Sequence, residues 1–124
     1  MFDHVGVNVR DYEASRAFYE RALESLGYRV AMAFDEWKAA GFGTSPNTPE
    51  FWISQREPFT TGTHVDFRCD DRATVHAFHE AATAAGGTDN GPPGIREDYH
   101  PTYYGAYVLD LDGNNIEAVC HTPE

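Results

Sequence analysis

The sequence predicts an α+β fold in which two βαβββ modules form curved mixed sheets around a cleft, with the helices outside. The first observation is a repeat: residues 4–27 align without a gap on residues 64–87, with eight identities in 24 positions that include His4/His64. The second is that each segment begins with the alternation of a half-buried strand and continues with apolar residues at helical spacing. A repeat this long that occurs only twice indicates duplication of a half-domain rather than a solenoid.

The first module begins with a strand over residues 4–9, where polar and apolar side chains alternate. Asp11 is suited to cap the helix that follows, and Gly27 is suited to end it. Turn-forming residues then separate three further predicted strands, at Tyr28–Phe34, Trp37–Phe42 and Phe51–Gln55.

The second module repeats this plan with a strand over residues 64–69 and a helix capped by Asp71. The stretch 86–94, rich in Gly and Pro, predicts at most one short strand. The last two strands, Tyr103–Asp110 and Asn115–His121, flank a hairpin turn. The chain is therefore interpreted as a single domain, 1–124, made of two repeats, about 1–58 and 59–124.

Charge and composition restrict the class of partner. The chain has 124 residues, and its 9 Lys and Arg against 20 Asp and Glu give a formal net charge of -11. Such a chain repels nucleic acid and anionic membranes, so small molecules and metal ions remain as ligands. It contains no run of about 18 apolar residues and no basic leader. Cys69 and Cys120 lie in apolar segments and are interpreted as free thiols, which favours a cytoplasmic location.

His4 and His64 are candidate metal ligands, because they occupy equivalent positions on the polar side of the two repeated strands. A lone strand histidine is more often structural, but packing alone does not require a histidine twice. Glu117 is the third candidate, since it interrupts an otherwise apolar final strand. A carboxylate in a sheet interior is costly unless it is paired or binds a cation. Two imidazoles and one carboxylate suit zinc, iron, manganese or nickel.

The chain resembles the vicinal oxygen chelate superfamily, the group that contains glyoxalases, bleomycin-resistance proteins and extradiol dioxygenases. The resemblance rests on four segments that together span the chain: Asp3–Val9, Ala14–Tyr19, Thr63–Val65 and Leu109–Glu117. It is specific for the fold and weak for the reaction, because the superfamily includes isomerases, lyases, dioxygenases, thiol transferases and plain drug-binding proteins. It also implies a homodimer, which the exposed edges of two short open sheets favour independently.

The resemblance implies metal ligands on the first, fourth, fifth and eighth strands. His4 matches the first, His64 the fifth and Glu117 the eighth. Trp52 aligns with Glu117 as the fourth-strand position, where glyoxalase I-like enzymes have Glu or Gln. This departure disfavours lactoylglutathione lyase activity, and the three remaining ligands are the set that extradiol dioxygenases use.

Further candidates surround this predicted site. Tyr107 lies ten residues before Glu117, the spacing at which the dioxygenases of this group place an active-site tyrosine. Tyr107 is therefore predicted to be catalytic together with Glu117, and so is His100, which lies on the preceding loop, close enough in sequence to reach the cavity mouth. The alternative is that Tyr107 only packs the sheet and His100 only faces solvent. Predicted substrate-binding residues are Trp52, Tyr103 and Arg96. The remaining histidines are interpreted as surface residues: His76, His79 and His121.

Two functions remain open, with a degenerate inactive domain as a third. The first is a metalloenzyme, a lyase, isomerase or dioxygenase, that chelates two adjacent oxygens of a small organic substrate on the metal. The second is a metal-free binding protein of the bleomycin-resistance type, which the acidic charge favours because such ligands are often cationic. The two histidines and Glu117 favour the first. The sequence leaves open whether one chain builds the site or two chains share it.

Overall fold

Each repeat folds as a four-stranded sheet with one helix, and the predicted α+β class is confirmed. The structure, a computed structural model, describes residues 1–123. The first module contains β1 (Val5–Val9), α1 (Tyr12–Glu24), β2 (Arg29–Phe34), β3 (Ala39–Gly43) and β4 (Phe51–Gln55). The second contains β5 (His64–Cys69), α2 (Arg72–Ala84), β6 (Thr88–Ile95), β7 (Tyr104–Leu109) and β8 (Asn115–Cys120). Neither of the two helices in this range is long and apolar enough to cross a membrane.

The two sheets have the same strand order, which supports the predicted duplication. The orders are β1-β4-β3-β2 and β5-β8-β7-β6. In each sheet the first and last strands of the module pair in parallel, and the other pairs are antiparallel. Residues from the two ends of a module therefore lie side by side, with the first strand at one edge of its sheet and the last strand next to it.

Both helices begin at the predicted caps and bury one face. The Asp11 carboxylate accepts a hydrogen bond from the Ala14 N–H at 3.1 Å, and the Asp71 carboxylate accepts one from the Thr74 N–H at 2.7 Å. The helices contact each other as well as the sheets, so both modules share one hydrophobic core. That core contains Val7, Phe18, Leu23, Ile53, Phe78, Val108 and Ile116. Alternate strand residues on the opposite face form an open surface on each sheet.

Two strand predictions were wrong in their boundaries. β6 is eight residues long and not short, because it is an edge strand and its prolines need no ladder hydrogen bond on the outer side. Trp37, the predicted first residue of a strand, is instead the last residue of a single turn of 3₁₀ helix, Asp35–Trp37. Lys38 follows in a left-handed conformation with φ 52°, so β3 begins only at Ala39.

A buried polar network joins the two modules behind the sheets. The Tyr19 hydroxyl on α1 donates to Asp110 Oδ2 at 2.5 Å, in the turn between β7 and β8. Asp110 also accepts from the backbone N–H groups of Asp112 and Asn114. Asp112 forms an ion pair with Arg10 at 2.9 Å. The turn that precedes the strand of Glu117 is thereby fixed to the first module.

Candidate functional site

Glu117 lies at the centre of the open face of the second sheet. Its side chain is 0% exposed. The His64 Nε2 lies 2.8 Å from Glu117 Oε1, and the Tyr103 hydroxyl donates to Oε2. Among residues 1–123, neither Lys nor Arg forms an ion pair with Glu117. A buried carboxylate that has an imidazole but no permanent cation beside it is suited to bind a metal ion.

An aromatic and cationic stack borders this carboxylate. Tyr107 pairs directly with Glu117 across β7 and β8, and its ring lies 6.3 Å from the His64 ring. The Arg96 guanidinium lies 5.3 Å from the centre of the Tyr107 ring. Burial, with the neighbouring charge of Glu117, raises the pKa of Tyr107 to about 12. The structure therefore brings two predicted residues, Tyr107 and Arg96, to the side of the His64–Glu117 pair.

Asp66 is a site residue that the sequence analysis missed. It pairs directly with Glu117 across β5 and β8, and its Oδ2 lies 3.2 Å from the Tyr103 hydroxyl. Desolvation, followed by the negative charge of Glu117, raises the pKa of Asp66 to about 7 although the residue still reaches solvent. The available signal was its position two residues after His64, on the same polar face of the strand.

Trp52 is the structural counterpart of Glu117, as the sequence alignment of the modules predicts. Trp52 pairs with Gly6 in β1, just as Glu117 pairs with Asp66 in β5. On its other side it pairs with Gly41, where a Cβ atom would lie 2.7 Å from the indole. The indole stacks on Phe34 with 5° between the ring planes and 6.2 Å between centroids. The first module thus has an aromatic surface where the second has a carboxylate.

Two predicted residues form no hydrogen bond with the buried carboxylate. His4 is exposed, and its Nδ1 contacts Asp3 at 2.7 Å. The residue lines an open cavity of about 480 Å³ beside Trp52 and another of about 310 Å³ that Asp66 of β5 also lines. His100 is on the exposed loop before β7, where its Nδ1 accepts a hydrogen bond from the Thr102 N–H at 3.1 Å. Its ring lies 6.3 Å from the His121 ring, which itself lies 5.3 Å from Tyr103. His121, interpreted from sequence as a surface residue, therefore borders Tyr103.

One chain supplies an incomplete donor set. In the part of the chain that the structure describes, no group of three or more His, Cys, Asp or Glu side chains could hold a metal ion. His64 and Glu117 are two of the three predicted ligands and lie together, whereas His4 contacts Asp3 instead. The imidazole nitrogen and carboxylate oxygen that are present fit a divalent first-row metal in donor type. His4 as the third ligand stays a prediction.

Comparisons with known proteins give the family. The model of the Glyoxalase/Bleomycin resistance protein/Dioxygenase superfamily matches residues 1–118. No curated protein matches the chain.

Solved structures agree with this family match. A glyoxalase/bleomycin resistance protein from Albidiferax ferrireducens is 33% identical, with a TM-score of 0.83 over 98% of this chain and 99% of that one. A fosfomycin resistance protein from Mesorhizobium loti is 22% identical, with a TM-score of 0.70 over 98% and 92% of the two chains. A glyoxalase I mutant from Zea mays is 20% identical, with a TM-score of 0.68 over 95% of this chain and 44% of that one. The last two show the fold alone. The chain belongs to the glyoxalase/bleomycin resistance protein/dioxygenase superfamily.

Proposed function

We propose that the protein is a metal-dependent enzyme that binds two adjacent oxygens of a small organic substrate on a divalent metal held by His4, His64 and Glu117. The observation that carries the proposal is the buried Glu117 carboxylate beside His64 Nε2, without a Lys or Arg partner among residues 1–123. Desolvating a carboxylate costs several kcal/mol, and a bound cation offsets that cost. The donor set suits zinc, iron, manganese or nickel.

We propose further that the site is completed in a homodimer. Because no group of three such side chains within residues 1–123 of one chain could hold a metal ion, a second copy would supply His4. The open face of the first sheet carries an exposed aromatic surface, with Trp37 70% and Phe34 42% exposed. Covering these rings removes apolar area from water, which favours association. His4 of one copy would then join His64 and Glu117 of the other.

The residues around the ligands suggest distinct roles in this chemistry. The bound metal would supply a Lewis acid that polarises a substrate oxygen. Arg96, stacked on Tyr107, is suited to attract an anionic substrate group, and Tyr107 is suited to donate a hydrogen bond to a substrate oxygen because its raised pKa keeps it protonated. Trp52 would form an apolar wall in place of a fourth ligand. A lyase, isomerase or dioxygenase reaction is compatible with this set, and lactoylglutathione lyase activity is disfavoured by Trp52.

Metal analysis of the purified protein tests the proposal. We expect close to one metal per chain in the wild type and less than a tenth of that in His4→Ala, His64→Ala and Glu117→Gln. The matched control is His76→Ala, because His76 is on α2, where its ring meets Tyr104 on the opposite side of the sheet. A wild-type chain that binds no first-row metal, or a Glu117→Gln variant that binds it normally, would refute the metalloenzyme.

A mixing experiment separates a shared site from a site within one chain. His4→Ala and Glu117→Gln chains are unfolded together and refolded as a mixture. In a shared site, each mixed dimer contains one intact set, with His4 from the second variant and His64 with Glu117 from the first. Metal binding should then return to about a quarter of the wild-type value, because half of the dimers are mixed and each has one intact site of two. No recovery, with dimers present by light scattering, would contradict the shared site.

The second candidate is metal-free binding of a small cationic molecule. The net charge of -11 and the aromatic surface of Phe34, Trp37 and Trp52 favour it. It predicts that an aromatic cationic ligand quenches tryptophan fluorescence equally with and without a chelator, and that Trp52→Ala reduces the quenching.

A further inference from the structure

The two oxygens of Glu117 have different surroundings. Oε1 faces His64 Nε2 at 2.8 Å, whereas Oε2 accepts a hydrogen bond from the Tyr103 hydroxyl. Only Oε1 therefore lies beside another predicted ligand. A hydrogen bond from a phenol to a buried carboxylate favours one orientation of that carboxylate, because turning it away leaves a buried acceptor unsatisfied.

Tyr103 is itself fixed by packing and by its backbone. Its ring lies between Tyr99 and His121, with centroids at 5.0 and 5.3 Å. Its backbone carbonyl accepts a hydrogen bond from the Arg96 N–H at 2.8 Å. The hydroxyl also lies 3.2 Å from Oδ2 of Asp66, the neighbour of Glu117 across β5 and β8. These contacts hold the phenol next to Glu117 in the absence of any ligand.

Gly105 makes the space in which this contact forms. A Cβ atom at position 105 would lie 3.0 Å from Glu117 Oε2 and 3.3 Å from Tyr103 Cε1. Both distances are shorter than ordinary van der Waals contacts, so an alanine would press on the carboxylate and on the ring at once. The absence of a side chain at this one position lets Glu117 Oε2 reach the phenol.

We propose that Tyr103 is a positioning residue that, with Gly105, holds Glu117 Oε2 and leaves Oε1 as the oxygen offered beside His64. The inference rests on the proposed metal function for its consequence, since groups that orient a metal ligand typically change metal affinity 10- to 100-fold when removed. It changes the role predicted for Tyr103 from substrate contact to orientation of a ligand.

The test measures Co²⁺ affinity and the visible absorption spectrum of bound Co²⁺, without substrate. We expect Tyr103→Phe to weaken Co²⁺ binding about 10- to 100-fold and to change the spectrum, because Glu117 gains freedom to bind through either oxygen. Gly105→Ala should weaken Co²⁺ binding and change the spectrum in the same way. Because the two residues act on the same carboxylate oxygen, the double variant should bind Co²⁺ no more weakly than the single variant that binds it less tightly. The control is Tyr104→Phe, because the Tyr104 hydroxyl lies 2.6 Å from His76 Nε2 on the other side of the sheet. A Tyr103→Phe protein with wild-type affinity and spectrum would overturn the proposal.

A second arm needs no metal. Crystal structures of the metal-free wild type and Tyr103→Phe should show Glu117 Oε2 in place in the first and rotated away in the second. An unchanged Glu117 side chain in Tyr103→Phe would overturn the positioning role even if Co²⁺ binds. If the wild type binds no metal while Glu117 rotates in the variant, the proposed metal function fails and the positioning role stands.

Discussion

The hydroxyl of Tyr19 is expected to contribute about 2 kcal/mol to the free energy of unfolding. Tyr19 is 0% and Asp110 6% exposed, and their oxygens lie 2.5 Å apart. Tyr19→Phe removes only the hydroxyl, because the ring keeps its contacts with Phe18 and Phe51 at 4.9 and 5.0 Å. Hydrogen bonds to charged groups contribute about 1.5–3 kcal/mol. In the variant, Asp110 Oδ2 still accepts a hydrogen bond from Asn114 Nδ2 at 3.0 Å, so we expect a loss below the top of that range.

Urea and thermal unfolding measure this loss. With an unfolding entropy of about 0.26 kcal/mol/K for a chain of this length, a loss of about 2 kcal/mol lowers the melting temperature by about 8 °C. Tyr28→Phe is the matched control, because its hydroxyl contacts the carboxylate of Glu50 at 2.7 Å at an exposed site. That variant should lose less than about 0.5 kcal/mol. Equal losses in the two variants would refute the role assigned to burial.

Three further changes have defined outcomes. With a chelator present, the stability of Asp66→Asn relative to wild type should be higher at pH 8 than at pH 4. The raised pKa of Asp66 in the folded protein means that the wild-type free energy of unfolding falls as pH rises from about 4 to about 7, whereas Asn does not titrate. A stability difference that does not change with pH would contradict this. Gly87→Ala should cost about 1–3 kcal/mol in urea unfolding, since its Cβ atom would lie 2.5 Å from Val108 Cγ1; an unchanged midpoint would mean that the core gives way there. Asp11→Ala should cost about 1 kcal/mol by the same measurement through loss of the α1 cap, and helix content that falls without any loss of stability would be unexpected.

The fold was predictable because the duplicated segment contains both the two-residue alternation of a strand and the 3.6-residue period of a helix. Alternation in β1 and β5 and capping by Asp11 and Asp71 are local properties, and the structure agrees with each. The eight-residue β6 was not predictable in the same way. Its glycines and prolines disfavour a strand locally, and only the pairing with β7 makes it one.

The candidate site was predictable in composition but not in detail. His64 was predicted from its equivalence with His4 and Glu117 from its place in an apolar strand, and the structure brings the two into contact. Period-two alternation puts Tyr103 and Tyr107 on the same face of a strand, but it does not decide which hydroxyl reaches Glu117. That depends on side-chain direction and on the missing side chain at Gly105, neither of which is a property of spacing. Asp66 was missed because its importance comes from strand register.

The prolines of β6 determine which edge of the second sheet can pair with an additional strand. β6 is one edge of that sheet, and Pro92 and Pro93 within it have no N–H to offer an incoming strand. The opposite edge, β5, carries no proline. An extended polypeptide that adds to this sheet, in a crystal, an aggregate or a complex, would therefore join beside β5 and not beside β6. Replacing the two prolines would remove a barrier against self-association and leave the hydrophobic core untouched.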